Sequence, residues 1–163
     1  MEDDYDCDIA VTGERAQIPR QADLLQSAVQ ATLRRHGVRG GRISVAVVSD
    51  ACIAQLNGSY LDRHEPTDVL SFDLRDHSAP DDNDVSAAPV DGEIVVSLET
   101  AVRQAKRRNH AVDAELALYA VHGTLHLLGY TDSDETDAAR MHRMEDTILG
   151  SLGLGPVFGS AAS

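Results

Sequence analysis

Val112-Asp-Ala-Glu-Leu-Ala-Leu-Tyr-Ala-Val-His122-Gly-Thr-Leu-His126-Leu-Leu-Gly129-Tyr-Thr-Asp132 is the stretch from which the rest of the chain is read. Val112 to Leu128 is its most apolar helical run. Positions four apart on a helix lie about 40° apart around the axis. His122 and His126 therefore project from one face, one turn apart, where two imidazoles can grip one cation. Gly129 tolerates positive φ and lets the chain leave the helix and double back. Asp132 arrives just past that reversal, placed to offer a carboxylate as third ligand. Three protein ligands leave the fourth position of a tetrahedral ion open for water, as in a catalytic rather than a structural site. A histidine pair at this spacing also arises by chance, and a lone histidine on an apolar helix is usually a core residue. The glycine and the carboxylate at the helix end favour the metal. His36, His64, His77, His110 and His142 show no such pattern and read as surface or loop residues.

A length of 163 residues suits one domain with a single substantial core. No apolar run approaches the roughly 20 residues that span a membrane. The start, Met1-Glu-Asp-Asp-Tyr-Asp-Cys-Asp8, is acidic where a signal peptide would be basic and then apolar, so a cytoplasmic protein is expected. Cys7 and Cys52 lack zinc-site spacing and read as two unrelated reduced thiols. A net charge of −13 argues against a generic nucleic-acid coat protein, whose affinity comes from Lys and Arg. Much of the acid is local, in the N-terminal tail and in Arg75–Asp91. Arg34, Arg35, Arg39 and Arg42 form one basic cluster, and Arg103, Lys106, Arg107 and Arg108 another. Helix C-terminal turns favour such cations, so RNA contact there is permitted but not required.

Residues 1–8 read as a disordered acidic tail, 9–150 as one domain and 151–163 as a flexible tail. Within the domain a short strand is expected around Ile9–Thr12. A helix is expected from Pro19 to His36, stopped by Gly37, and a strand over Arg42–Val48. Asp50 is the expected N-cap of a short helix ending near Asn57-Gly58. Strands follow over Asp68–Phe72 and Gly92–Ser97, separated by the acidic, Pro-containing loop. Three helices complete the chain: Leu98–Asn109, Val112–Leu128 and Asp134–Leu149. The order predicts an α+β fold. It has one small mixed β-sheet of about four strands with helices packed against it, and the metal site lies on the central apolar helix. Tyr130, Leu125, Leu127, Leu128, Met141 and Met144 read as core, and Glu145 as a helix-surface acid.

The chain resembles the YbeY family, bacterial metal-dependent endoribonucleases of ribosomal RNA maturation. His122-Gly-x-Leu125-His126-Leu127-x-Gly129-Tyr130 carries the resemblance, with Ala138, Met141 and Glu145 at the family's spacing. A second block runs Leu56-Asn57, Tyr60 and Pro66-Thr67-Asp68-Val69-Leu70-Ser71-Phe72, and Gly92-Glu93-Ile94 looks like the family's Gly-Asp-Ile. The likeness covers roughly Ile43 to Glu145. It implies cleavage of single-stranded RNA in small-subunit maturation and ribosome quality control, with one Zn2+ per chain. It also implies ribosomal RNA and the small ribosomal subunit as partners, with a ribosomal protein or GTPase beside them. Two positions depart from the pattern. The family's third ligand is a histidine where this chain has Asp132, which adds one formal negative charge and makes a metal-bound water less acidic. The family's arginine after Tyr60 is Leu61 here, with Arg63 two positions on.

RNA is cleaved by in-line attack on phosphorus, with charge growing on the non-bridging oxygens. A metal polarises the phosphoryl group, and a guanidinium holds it bidentately. His122, His126 and Asp132 are accordingly assigned to the metal and Arg63 to the phosphate. Asp68 and Ser71 read as strand-end packing, and Glu93 as a strand-start acid. A zinc peptidase is a lesser alternative, because such enzymes need Glu directly after the first histidine and this chain has Gly123. Non-haem iron chemistry ranks lower still. An alternative of another class is a ribosome-assembly or RNA-binding factor with weak or no cleavage and a structural metal.

Overall fold

The structure is a computed structural model that describes residues 6–13, 20–61, 69–75 and 89–154. Nine elements follow one another: β1 (Asp6–Gly13), α1 (Ala22–Arg35), β2 (Gly40–Val48), α2 (Asp50–Leu61), β3 (Val69–Asp73), β4 (Val90–Ser97), α3 (Leu98–Arg108), α4 (Val112–Leu127) and α5 (Glu135–Ser151). The strands form one sheet in the order β1-β2-β4-β3. β1 and β4 flank β2 in parallel, and β3 closes the edge antiparallel to β4. This is the mixed four-stranded α+β sheet expected from the sequence. None of the described helices is long and apolar enough to cross a membrane.

Side chains alternate between the faces of a strand, and both faces of this sheet are used. Ile43, Val45, Val90, Ile94 and Val96 join the main core under α1, α4 and α5. Val48, Leu70 and Val95 turn the other way, onto Ile53 of α2. Cys7 packs against the first core and Cys52 against the second, and no disulfide joins them. α4 is buried nearly all round and lies across β3 and β4 at close range. Glycines permit that approach. A Cβ on Gly123 would stand 2.8 Å from Ile94 Cγ2 and 3.0 Å from Ser71 Oγ, and one on Gly92 would stand 2.6 Å from Leu127 Cδ1.

Several boundaries differ from the sequence expectation. β1 begins at Asp6 rather than near Ile9, so residues 6–8 belong to the sheet and not to an acidic tail. Their backbone pairs in register with Gly40–Arg42, and ladder bonds are indifferent to side-chain charge. α5 runs on to Ser151, two residues past the expected helix end at Leu149. α2 is capped by Ser49, whose hydroxyl accepts from the Cys52 N–H, and not by Asp50. The Asp50 carboxylate is drawn away by Ser97 Oγ (2.6 Å), Thr100 Oγ1 (2.7 Å) and Arg103 (2.7 Å), tying α2 to the start of α3. These donors hold its pKa down at about 2, with Arg103 the main cause. The helix after Asp50 also continues past Asn57-Gly58 to Leu61.

Candidate metal centre

The last two turns of α4 and the turn after it bring His122, His126 and Asp132 together. Gly129 has φ +101°, the left-handed conformation that reverses the chain and delivers Asp132 to the histidines. The two Nε2 atoms are 3.0 Å apart. Asp132 Oδ2 lies 3.8 Å from that of His122 and 3.9 Å from that of His126. A point equidistant from the three donors lies about 2.1 Å from each, inside the ~2.0–2.2 Å range of zinc–imidazole and zinc–carboxylate bonds.

The outer hydrogen bonds determine which nitrogens carry protons. His122 Nδ1 is 2.6 Å from Glu145 Oε2, and His126 Nδ1 is 3.0 Å from the Tyr130 carbonyl oxygen. Both partners only accept, so each Nδ1 carries the hydrogen. In the neutral rings both Nε2 lone pairs then face each other across 3.0 Å, with a carboxylate beside them. That arrangement is repulsive unless a cation lies between them. The donor set therefore fits a divalent ion that accepts imidazole and carboxylate. The three side chains are 23%, 31% and 50% exposed, so one side of the candidate site faces solvent.

Behind the ligands sits a supporting layer that sequence reasoning largely missed. Glu145 is no surface acid: it is fully buried on α5, and its carboxylate orients His122. Its Oε1 has no hydrogen-bond partner among the described residues. His36, read as a surface residue, donates from Nδ1 to the Thr32 carbonyl (2.8 Å). Its Nε2 lies 2.9 Å from the Tyr130 hydroxyl and accepts a hydrogen bond from it. This bond holds the residue whose carbonyl orients His126. Among the other histidines, His110 is bonded to buried Glu115 at the start of α4, and His64 and His77 lie outside the described residues. Arg75 forks onto both Asp73 oxygens (2.9 and 2.7 Å) and donates to the Leu127 carbonyl (2.9 Å), anchoring the end of α4 to β3. Asp73 raises the Arg75 pKa. Arg63, Asp68 and Leu61's side chain lie outside what the structure describes.

Gly123 offers no side chain for the general base that the peptidase arrangement needs, and a Cβ there would stand 2.8 Å from Ile94 Cγ2 and 3.0 Å from Ser71 Oγ. The basic clusters are occupied in part by intramolecular pairs. Arg42 faces Asp91, Arg103 binds Asp50 and Arg108 binds Glu115. Arg34 and Arg35 lie in the last turn of α1, and Lys106, Arg107 and Arg108 in that of α3.

The profile of the family described as Endoribonuclease YbeY matches residues 8–153. The chain belongs to the endoribonuclease YbeY family. An "Endoribonuclease YbeY" of Moorella thermoacetica is 38% identical over 152 residues, which cover 89% of this chain and 97% of the relative. Another, of Carboxydothermus hydrogenoformans, is 41% identical over 132 residues, covering 81% and 86%. A Thermotoga maritima protein solved in solution shares the fold, with a TM-score of 0.57, 20% identity and coverage of 93% and 94%. Family membership agrees with the resemblance seen in the motifs and makes the chain a nuclease of the hydrolase class. Neither the peptidase nor the assembly-factor alternative is favoured by these relatives.

Proposed function

We propose that this protein cleaves single-stranded RNA within the chain, using one Zn2+ held by His122, His126 and Asp132. Its work would be small-subunit ribosomal RNA maturation and ribosome quality control in the cytoplasm. The proposed partners are ribosomal RNA, the small ribosomal subunit, and a ribosomal protein or GTPase. The observation that carries the reading is the pair of facing Nε2 atoms, 3.0 Å apart and closed by Asp132, in a chain of an endoribonuclease family. When bound, the ion would supply Lewis-acid polarisation of the phosphoryl group and a more acidic water.

The chain's own residues do the rest. Glu145 and the Tyr130 carbonyl hold the Nδ1 protons of His122 and His126, which keeps both Nε2 atoms as donors to the ion. Asp132 contributes a negative charge in place of a third neutral imidazole. Leu125 and Leu127, both buried, keep the inner side of the site dry. Arg63 is proposed as the guanidinium that holds the phosphate while charge develops. The exposure of the three ligands favours an open catalytic ion over a closed structural one.

The test is cleavage of matched single-stranded and duplex RNAs by zinc-loaded protein. Cleavage of the single strand alone is expected, lost with a chelator and restored by zinc. Asp132→Ala should abolish it and Asp132→His should raise it. A zinc-loaded wild type that cuts neither RNA, or cleavage indifferent to both substitutions, refutes the reading.

A further inference from the structure

On the α5 side of the metal centre a polar cavity of about 320 Å3 opens, lined by Leu128, Gly129, Tyr130, Thr131, Asp137 and Arg140. Its size falls at the small end of ligand pockets. It shares a wall with the metal site, because the Tyr130 carbonyl orients His126 and Thr131 directly precedes Asp132. Arg140 and Asp137 stand three residues apart on α5, a spacing at which opposite charges ordinarily pair. Here they do not. The Arg140 guanidinium carbon lies over the Tyr130 ring, 5.2 Å from its centroid, and has no ion pair or hydrogen bond among the described residues. Asp137 Oδ2 accepts from the Thr131 hydroxyl (2.9 Å), while Oδ1 receives no hydrogen bond among the described residues. In a chain of net charge −13, a guanidinium with no ion pair among the described residues, three residues from a carboxylate, is a binding group left open.

We infer that this cavity is a ribonucleotide subsite, in which Arg140 takes the phosphate flanking the scissile one and Asp137 takes a ribose hydroxyl of the same nucleotide. The inference rests on the endoribonuclease reading and adds how the strand is gripped. A guanidinium binds phosphate bidentately. A carboxylate accepts well from ribose hydroxyls, and the 2′-hydroxyl is what distinguishes RNA from DNA at a given site. A purely anionic ligand would satisfy Arg140 and be repelled by Asp137. A nucleotide satisfies both, because it brings an anion and hydroxyl donors on one small frame. The Tyr130 ring, pinned by His36, is the platform that keeps the guanidinium at the cavity.

The experiment is equilibrium binding, by fluorescence anisotropy in the cold, of a labelled single-stranded octaribonucleotide and its all-deoxy counterpart to zinc-loaded protein. Wild type, Arg140→Ala and Asp137→Ala are compared, with zinc content and circular dichroism checked on each and the RNA run on a gel afterwards. Wild type should prefer the ribo strand by about tenfold. Arg140→Ala should weaken both strands by about tenfold. Asp137→Ala should collapse the ribo preference to less than about twofold, with zinc content unchanged in both variants. Wild-type affinity in Arg140→Ala, or a ribo preference that survives in Asp137→Ala, overturns the subsite. The predicted binding pattern with no cleavage products after the zinc-loaded complex is warmed would leave the nucleotide subsite standing and sink the endoribonuclease reading. Cleavage with none of the binding changes would do the reverse.

Discussion

Replacing Glu145 by glutamine should weaken zinc binding without weakening the metal-free fold. The carboxylate accepts from His122 Nδ1 at 2.6 Å, is fully buried, and leaves Oε1 without a hydrogen bond among the described residues. Glutamine keeps the shape and one acceptor oxygen but removes the charge. A hydrogen bond to a charged group contributes about 1.5–3 kcal/mol and a neutral one about 0.5–1.5, so roughly 1–1.5 kcal/mol of support for the imidazole is lost. That corresponds to about tenfold in zinc affinity, the low end of the 10–100-fold range for partners behind metal-binding histidines. Against this, a buried carboxylate with one half-met oxygen carries a desolvation cost of several kcal/mol that glutamine does not. Metal-free stability should therefore stay level or rise while affinity falls. Zinc competition against a chromophoric chelator reads the first quantity, and thermal unfolding in a chelator the second. Zinc affinity within about twofold of wild type would refute the orienting role. A collapse of metal-free stability would show that Glu145 is scaffold rather than support for the ligand.

Three other predictions follow from the packing. Gly123→Ala gains about 1 kcal/mol of helix propensity but drives a methyl group into Ile94 and Ser71. Overpacking of about 1–3 kcal/mol should win, lowering the melting temperature by several degrees in calorimetry. His36→Ala removes the acceptor of the Tyr130 hydroxyl and loosens the carbonyl that orients His126. Zinc affinity should fall several-fold, less than for Glu145→Gln, while His36→Gln restores part of it. The depressed pKa of Asp50, about 2 against an ordinary 3.8, stabilises the fold at pH values above 3.8 and loses that contribution as pH falls through 2. Denaturant titrations should find Asp50→Asn destabilised near neutrality by about 1–2 kcal/mol, after allowance for the exposed Arg103 partner, with the gap closing toward pH 2.

What was legible in the sequence was local. His122, His126 and Gly129 announce themselves through helical spacing and a single turn, and Asp132 follows from the reversal that Gly129 imposes. The strands were legible because β-branched runs alternate, as in Arg42–Val48. Glu145 and His36 were misread because their partners lie far off in sequence. Glu145 meets His122 only when α5 packs on α4, and His36 meets Tyr130 only when the end of α1 reaches the turn after α4. Asp50 was misread for a related reason. Its residue type suits a helix cap, but Ser97, Thr100 and Arg103 of β4 and α3 compete for the carboxylate and leave the cap to Ser49. Charge misled at the N-terminus, where the backbone of Asp6–Asp8 pairs with β2. The separation of Arg140 from Asp137 was likewise invisible, since it depends on where the Tyr130 ring lies.

Zinc content measured by elemental analysis, on wild type and Asp132→Ala in parallel, tests the central claim most directly. About one zinc per wild-type chain, with a sharp loss in the folded variant, is the predicted result. A folded wild type that takes up no zinc even after zinc is supplied would contradict it, as would undiminished zinc in Asp132→Ala.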